Sequence, residues 1–385
     1  MESKPELIVF SQNLMGGGSS FHRNMLANKP DDFFDIKCIY LDPLHWIATR
    51  SKEITLKNDD LIFAFENEDK YSIAKNISAH ISNKKGAIIS NMSEELTALN
   101  YFPKPKKTIY FICHDVGYLG LTKKYDHLID VFIAHNYQVY QDIIALIPHR
   151  KKNIYFIQHG VSIQNFEKQK NSHENLNVVF LARHVKLKGI YDLPKIDDEL
   201  IKNNIQVNWT ILGDGEERSN FFESVRNKKN FNFTIAENTD KIIEILKKQD
   251  LYILPSSHDG LPVSMLEAMS VGCVPLLYNF SEGIKKVVSH DIGRVVEVGD
   301  YNSLANEIIF FNNSRESLSE LSKNCIEKII TDFDIKKQAA QYFNLYKNYK
   351  KLKNRRTNSL KYFLNRNDKN FIFRNALRIL NKLKV

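Results

Sequence analysis

Two carboxylates, Asp259 and Glu267, stand eight positions apart, and from Leu261 to Pro275 Glu267 carries the only formal charge. An acid in so apolar a stretch is costly to bury unless it is paired or hydrogen-bonded. That makes Glu267 a functional candidate. Asp259 lies just before an expected helix, where unpaired backbone N–H groups attract a phosphate or another anion. Upstream, Arg183, Lys186 and Lys188 follow an apolar run and precede another expected helix. Arg offers a fork and Lys a point charge to a diphosphate. His114-Asp115 follows the apolar run Ile109–Cys113, where a neutral imidazole can hydrogen-bond a sugar hydroxyl with Asp115 orienting it. Acids for hydroxyls, and cations with a helix end for a diphosphate, match the parts of a nucleotide-sugar. A plainer reading also stands: Asp259 caps the helix, Glu267 pairs with a core Arg or Lys, His114 caps a strand end, and the loop cations are solvated.

These residues need a frame that gathers strand ends at one edge. Leu251–Leu254 reads as a buried strand, broken into a loop by Pro255, Ser256, Ser257 and Gly260. Pro262 suits the first turn of the following helix and Gly272 its stop. That helix, with its single charge, is expected to be buried on most sides. At the start of the chain, Leu7–Ser11 runs into Gly16-Gly17-Gly18 and a helix from Ser19 through Asn28. The glycines allow close backbone approach to a ligand, or form a flexible turn. Further strands are expected at Ile36–Leu41, Gly86–Ser90, Thr108–Cys113, Val131–Ala134 and Asn153–Gln158, with helices at Tyr71–Ser82, Glu94–Tyr101 and Tyr137–Leu146. His135-Asn136 and His159-Gly160 end two of those strands. Past a polar linker, Ser162 to Leu176, strands at Asn177–Ala182, Trp209–Leu212, Phe231–Ala236 and Val274–Tyr278 alternate with helices opened by Gly189 and Glu216 and one over Lys241–Lys248. Such alternation indicates α/β, doubly wound parallel sheets. Their ligands bind beyond the C-terminal strand ends.

The stretch Pro255-Ser256-Ser257-x-Asp259-Gly260-Leu261-Pro262, then Leu266-Glu267-Ala268-Met269 and Gly272, resembles the signature of the family 4 retaining glycosyltransferases. That signature is a pair of acids eight apart in a frame of the same form. Asp259 stands where the family has Glu, with the spacing to Glu267 kept. Arg183…Lys188-Gly189 resembles the family's G-R…K-G pair, Gly213-Asp214-Gly215 its G-D-G turn, and His159-Gly160-Val161 its Asn-Gly-Val/Ile junction segment. The resemblance covers about Asn177–Ile309 closely and the first half loosely. It implies the GT-B fold, two Rossmann-like domains facing a central cleft. The expected divisions are 1–165 on the acceptor side, 166–333 for donor binding, and 334–385 for C-terminal helices and a basic tail. It implies transfer of a sugar from a nucleoside-diphosphate donor, UDP before GDP, to a glycan or lipid-linked hydroxyl with retained anomeric configuration. Arg183 and Lys188 would hold the phosphates, Asp259 the sugar hydroxyls and Glu267 the ribose. His114 would reach the sugar from the opposite domain. Gly16, Gly17, Gly18, Gly213, Gly260, Leu261 and Pro262 would line the donor site. No metal and no cofactor is implied. Two rivals share the frame: a nucleotide-sugar epimerase and a non-catalytic binding subunit. An NAD oxidoreductase does not fit, because neither half has G-x-G-x-x-G followed by a suitably spaced acid.

The 385 residues are 43% hydrophobic and 26% charged, an ordinary globular composition long enough for two domains. Cys38, Cys113, Cys273 and Cys325 show no metal spacing and suit reduced, buried thiols. No run approaches membrane-spanning length and no signal peptide opens the chain, so a cytoplasmic protein is expected. The net charge of +9 is lopsided: Lys347–Val385 holds 13 Lys and Arg against Asp368, leaving the remainder at −3. In that tail Arg374, Arg378 and Lys382 recur every four residues, while Ile372, Ala376, Ile379 and Leu383 take another helical face. The pattern suits peripheral contact of 347–385 with the anionic cytoplasmic face of the inner membrane, or a helix packed back on the first domain. No nucleic-acid motif is present.

Overall fold

The computed structural model describes residues 4–12, 17–43, 60–66, 68–164, 175–234 and 239–353. Gly16, much of the linker, the loop 235–238 and the tail residues Arg374, Arg378 and Lys382 lie outside the described residues.

The first domain runs β1 (Glu6–Gln12), α1 (Gly17–Ala27), β2 (Asp35–Pro43), β3 (Leu61–Phe65), α2 (Lys70–Ala79), β4 (Gly86–Ser90), α3 (Ser93–Tyr101), β5 (Lys107–Cys113), α4 (Leu119–Lys124), β6 (Val131–Ala134), α5 (Tyr137–Leu146) and β7 (Ile154–Phe156). The second runs β8 (Leu176–Leu181), α6 (Leu193–Lys202), β9 (Val207–Leu212), α7 (Arg218–Val225), β10 (Phe231–Thr234), α8 (Thr239–Leu246), β11 (Leu251–Leu254), α9 (Val263–Ser270), β12 (Val274–Tyr278), α10 (Glu282–Val287), β13 (Arg294–Val296), α11 (Tyr301–Asn313) and α12 (Arg315–Asp332). Two last helices, α13 (Ile335–Lys347) and α14 (Tyr349–Leu352), follow.

The first sheet has the order β3-β2-β1-β4-β5-β6-β7 and the second β10-β9-β8-β11-β12-β13. All pairings are parallel. The order reverses between β1 and β4, and again between β8 and β11. At such a reversal the departing chains leave a crevice beyond the strand ends. Central strands are buried on both faces, which is why they read as unbroken apolar runs. In β1, Leu7 and Val9 join one core layer while Ile8 and Phe10 join the layer on the other side.

Helix α13 returns to the first domain. Tyr342, Phe343 and Tyr346 pack in one layer with Leu7, Val9, Tyr110 and Ile112. The Tyr342 hydroxyl donates to Ile157 O at 2.7 Å. Val161 and Asp334 form a parallel bridge, with Val161 N–H donating to Phe333 O and Ile335 N–H to Val161 O. The segment His159-Gly160-Val161 is therefore more than a turn: it is where the returning chain docks. The start of the basic stretch docks too. Lys347 pairs with Asp31, the Thr108 hydroxyl donates to Tyr349 O at 2.7 Å, and Lys353 sits 3.6 Å from Asp130.

Three expectations need correction. Gly189 does not open a helix; it separates two short 3-10 turns, and α6 begins at Leu193. Pro262 is the residue before the first turn of α9 rather than within it. Strands β3 and β13 were not anticipated. The first is an edge strand whose five apolar residues, Leu61–Phe65, were a visible signal, with Ile62 and Ala64 exposed; the second is only three residues long and opens on Arg294.

Candidate active site

The β8/β11 reversal carries most of the candidates. Arg183 stands two residues past β8 and is exposed. Lys188 is half-buried, ion-paired with Asp259, and 3.5 Å from His258 O. Gly189 has φ +70°, and a Cβ there would sit 1.8 Å from Pro255 O. Only glycine lets the two loops approach so closely. The Ser257 N–H and the Ser256 hydroxyl both donate to Leu187 O at 3.0 Å, tying the loops together.

Helix α9 follows. No side chain caps it, and Asp259 Oδ1 accepts instead from Gly260 N–H at 2.9 Å. The capping role for Asp259 is thus not realised, and the helix entrance keeps free donors for an anion. Its other end closes as expected: Gly272 at φ +79° donates to Met269 O and Cys273 N–H to Ala268 O, the paired bonds of a Schellman stop. Val263, Met265, Leu266, Ala268 and Met269 are buried, and Glu267 is half-buried where the helix meets the cleft. There it lines a cavity of about 270 Å³ with Asn24 of the first domain, Val161, Ser162, Gln164, Ile243 and Glu244. Asp259 and Glu267 both act on the buried Tyr252 hydroxyl, whose pKa burial, first, and these two acids raise. Tyr252 OH lies 2.9 Å from Ser264 Oγ and 3.5 Å from Leu181 O. Arg183, Lys188 and Asp259 do not line the Glu267 cavity itself. Gly213 follows β9 and abuts Ala182 O, beside Arg183.

The first domain meets this edge at Gly260. A Cβ on Gly260 would lie 2.4 Å from His114 O and 3.3 Å from Asp115 Cβ, so the end of β5 touches the entrance of α9. Leu261 and Pro262, next in the chain, are buried. Asp115 does not orient His114; its carboxylate accepts from Gly117 N–H at 2.7 Å and caps a short turn. His114 packs over Gly18, and Gly17 opens α1. Its Nε2 is 3.4 Å from Asn91 Nδ2, which also lies 3.0 Å from His22 Nε2. Asn91 is fixed from behind by Glu95, whose Oε1 accepts from Ser90 Oγ and from the N–H groups of Asn91 and Met92 at 2.6–2.9 Å. Burial pushes Glu95 up to about 7. Burial also lowers His114 to about 4 and His22 to about 3, and holds His135 and His159 well below their ordinary value, so all four rings are neutral. Sequence reasoning missed Asn91, Glu95 and His22. The available signal for Asn91 was its position directly after β4, at the reversal of strand order.

Residues 162–329 match the family of glycosyl transferases group 1. The second domain is a group 1 glycosyltransferase domain. An Escherichia coli UDP-Gal:alpha-D-GlcNAc-diphosphoundecaprenol alpha-1,3-galactosyltransferase is 30% identical over 154 residues, 39% of this chain and 38% of that one. The Staphylococcus aureus capsular polysaccharide biosynthesis glycosyltransferase CapM is 23% identical over 172 residues, covering 42% and 45%. The chain thus spans less than half the length of these curated relatives. Among solved structures, Anabaena HepE in complex with UDP and glucose superposes with a TM-score of 0.72 at 16% identity, covering 89% of this chain and 99% of that one. That likeness shows the fold of both domains, which is GT-B.

Proposed function

We propose that the protein moves a sugar from a nucleoside-diphosphate donor, UDP before GDP, to a hydroxyl of a glycan or lipid-linked acceptor, with retention, in surface polysaccharide assembly. The observation that carries this is the convergence at the β8/β11 reversal. There Lys188 and Asp259 are paired beside an uncapped helix entrance, Glu267 stands about one turn into the helix, and His114 abuts Gly260 from the other domain. Cleavage of a sugar–diphosphate bond leaves charge on the phosphate while the ring gains oxocarbenium character. Arg183, Lys188 and the α9 entrance take that charge, so the diphosphate needs no Mg²⁺ or Mn²⁺. Glu267 accepts from the ribose hydroxyls. Asp259 turns to the sugar hydroxyls once phosphate has replaced it on Lys188. His114, neutral at working pH, contacts the sugar from the acceptor side. The E. coli relative's diphosphoundecaprenol acceptor and the S. aureus relative's capsular role support a lipid-linked glycan acceptor. Among the described residues no helix is long and apolar enough to cross a membrane. The tail beyond Lys353 supplies the peripheral membrane contact, at the cytoplasmic face.

The test is a thermal-shift screen of UDP-, GDP- and ADP-sugars, followed by assay of donor hydrolysis and of transfer to lipid-linked acceptors without added Mg²⁺ or Mn²⁺. The expected result is stabilisation by one nucleotide class and turnover unchanged by either ion. No stabilisation by any donor, or turnover that appears only with the ion, refutes the reading.

A further inference from the structure

Three consecutive strands of the first domain, β5, β6 and β7, each deliver a histidine at or just past the C-terminal end: His114, His135 and His159. Each ring can offer one nitrogen such that all three nitrogens lie within 4.8 Å of one another. We propose that these three imidazoles form a binding site for one nitrogen-preferring divalent transition ion, of the Zn²⁺ or Co²⁺ kind. This does not depend on the sugar-transfer reading, although His114 is common to both: with an ion bound its ring nitrogens are engaged, and it would border the sugar without hydrogen-bonding a hydroxyl.

The geometry is near what such an ion needs. Bonds of ~2.0–2.1 Å in tetrahedral arrangement put ligand nitrogens about 3.3 Å apart. His135 Nδ1 now lies 2.8 Å from His159 Nδ1 and 2.5 Å from His159 Nε2, closer than that, while 4.8 Å bounds the set. His135 and His159 also pack edge to face, with centroids 3.7 Å apart, and His114 stacks at 5.8 Å from His159. Three neutral imidazoles with no carboxylate in the set favour Zn²⁺, Co²⁺, Ni²⁺ or Cu²⁺ over Mg²⁺ or Ca²⁺. Three protein ligands leave a coordination position for water or another exchangeable group.

The surroundings point the same way. Three buried polar atoms here have no hydrogen-bond partner: His135 Nε2, His22 Nδ1 and Asn91 Oδ1. None is a ligand nitrogen measured above; they make the surroundings of the rings polar and leave hydrogen-bonding capacity for the far sides of ligating imidazoles. The Asn91 case is informative. Its Nδ2 faces His22 Nε2 and His114 Nε2, while its Oδ1 faces nothing. With the amide's O and N exchanged, Oδ1 would accept from two Nε2–H groups. His114 Nδ1 then keeps its lone pair for an ion, and Asn91 becomes the carbonyl that receives the far N–H of a ligating histidine. The competing account is a metal-free cluster in which His135 and His159 share one N–H···N bond.

The experiment uses the full, untagged chain, stripped with chelator and titrated with Zn²⁺ or Co²⁺ alone. The expected result is about one equivalent bound, a rise in Tm, and intense visible bands of four-coordinate cobalt. His135→Gln and His159→Gln should each abolish the bands and the Tm rise. His149→Gln, on a side chain 62% exposed, should change neither. Absence of stoichiometric binding, or binding unaltered in both core variants, overturns the site. Should those variants not fold, X-ray absorption of the zinc-loaded wild-type chain decides: three imidazole ligands uphold the proposal and fewer overturn it.

Discussion

Replacing Asp259 by Asn separates two uses of Lys188. In the structure its ammonium is held by the Asp259 carboxylate, with both side chains largely shielded, 16% and 20% exposed. A donor diphosphate must take that ammonium over, so donor binding is opposed by the pair it breaks. A charge-assisted hydrogen bond contributes about 1.5–3 kcal/mol when buried. Partial exposure brings this pair towards the about 0.2–1 kcal/mol of surface pairs. We take about 1 kcal/mol, which is roughly five-fold in affinity. Asn keeps the Oδ1 acceptor for Gly260 N–H, so the loop should hold its shape. Isothermal titration of Asp259→Asn with the free nucleoside diphosphate should therefore show about five-fold tighter binding. Turnover of the full nucleotide-sugar should fall, because the carboxylate that reads its hydroxyls is gone. Unchanged or weaker diphosphate binding in a folded variant would refute the competition, and with it the role of Lys188 as the phosphate cation.

Glu267→Gln removes the charge from hydrogen bonds to the ribose, and donor affinity measured by titration should drop by about ten-fold; equal affinity would remove Glu267 from the site. Glu95 gives a pH signature. Its carboxyl is raised from 4.5 to about 7 in the folded chain, so its contribution to stability is full below pH 4.5 and lost as pH rises to about 7. The loss is on the order of 3 kcal/mol. Glu95→Gln should therefore raise Tm relative to wild type more at pH 8 than at pH 5, and a pH-independent difference would contradict the burial argument. Truncation after Lys353 spares the docked α14 and should reduce co-sedimentation with anionic vesicles; equal binding would end the membrane proposal.

The second domain was legible because its chemistry is local in the chain. Asp259, Gly260, Glu267 and Gly272 lie within a strand-loop-helix unit, so spacing alone conveys their geometry. The histidine cluster was not legible in that way. His22, His114, His135 and His159 are far apart in sequence and meet only because α1 packs beside a sheet whose strands β5, β6 and β7 are neighbours. Each had been visible singly as a strand-end residue or not at all. Asp115 misled for a related reason: an acid next to a histidine suggests a partner, but a short turn's unpaired N–H lies nearer than the ring. The exchange at Gly189 followed from reading a glycine as a helix start, when its left-handed backbone serves the approach of Pro255.

The chain passes between the domains outward after Val161 and homeward at Phe333, and these passages are bonded side by side through the Val161–Asp334 bridge. Twin tethers at one point resist sliding and shear but permit swing about that point. Opening would then be felt least beside Val161 and most at the rim where Gly260 meets His114, so the sugar end of the cleft would be the first part to admit or release a ligand.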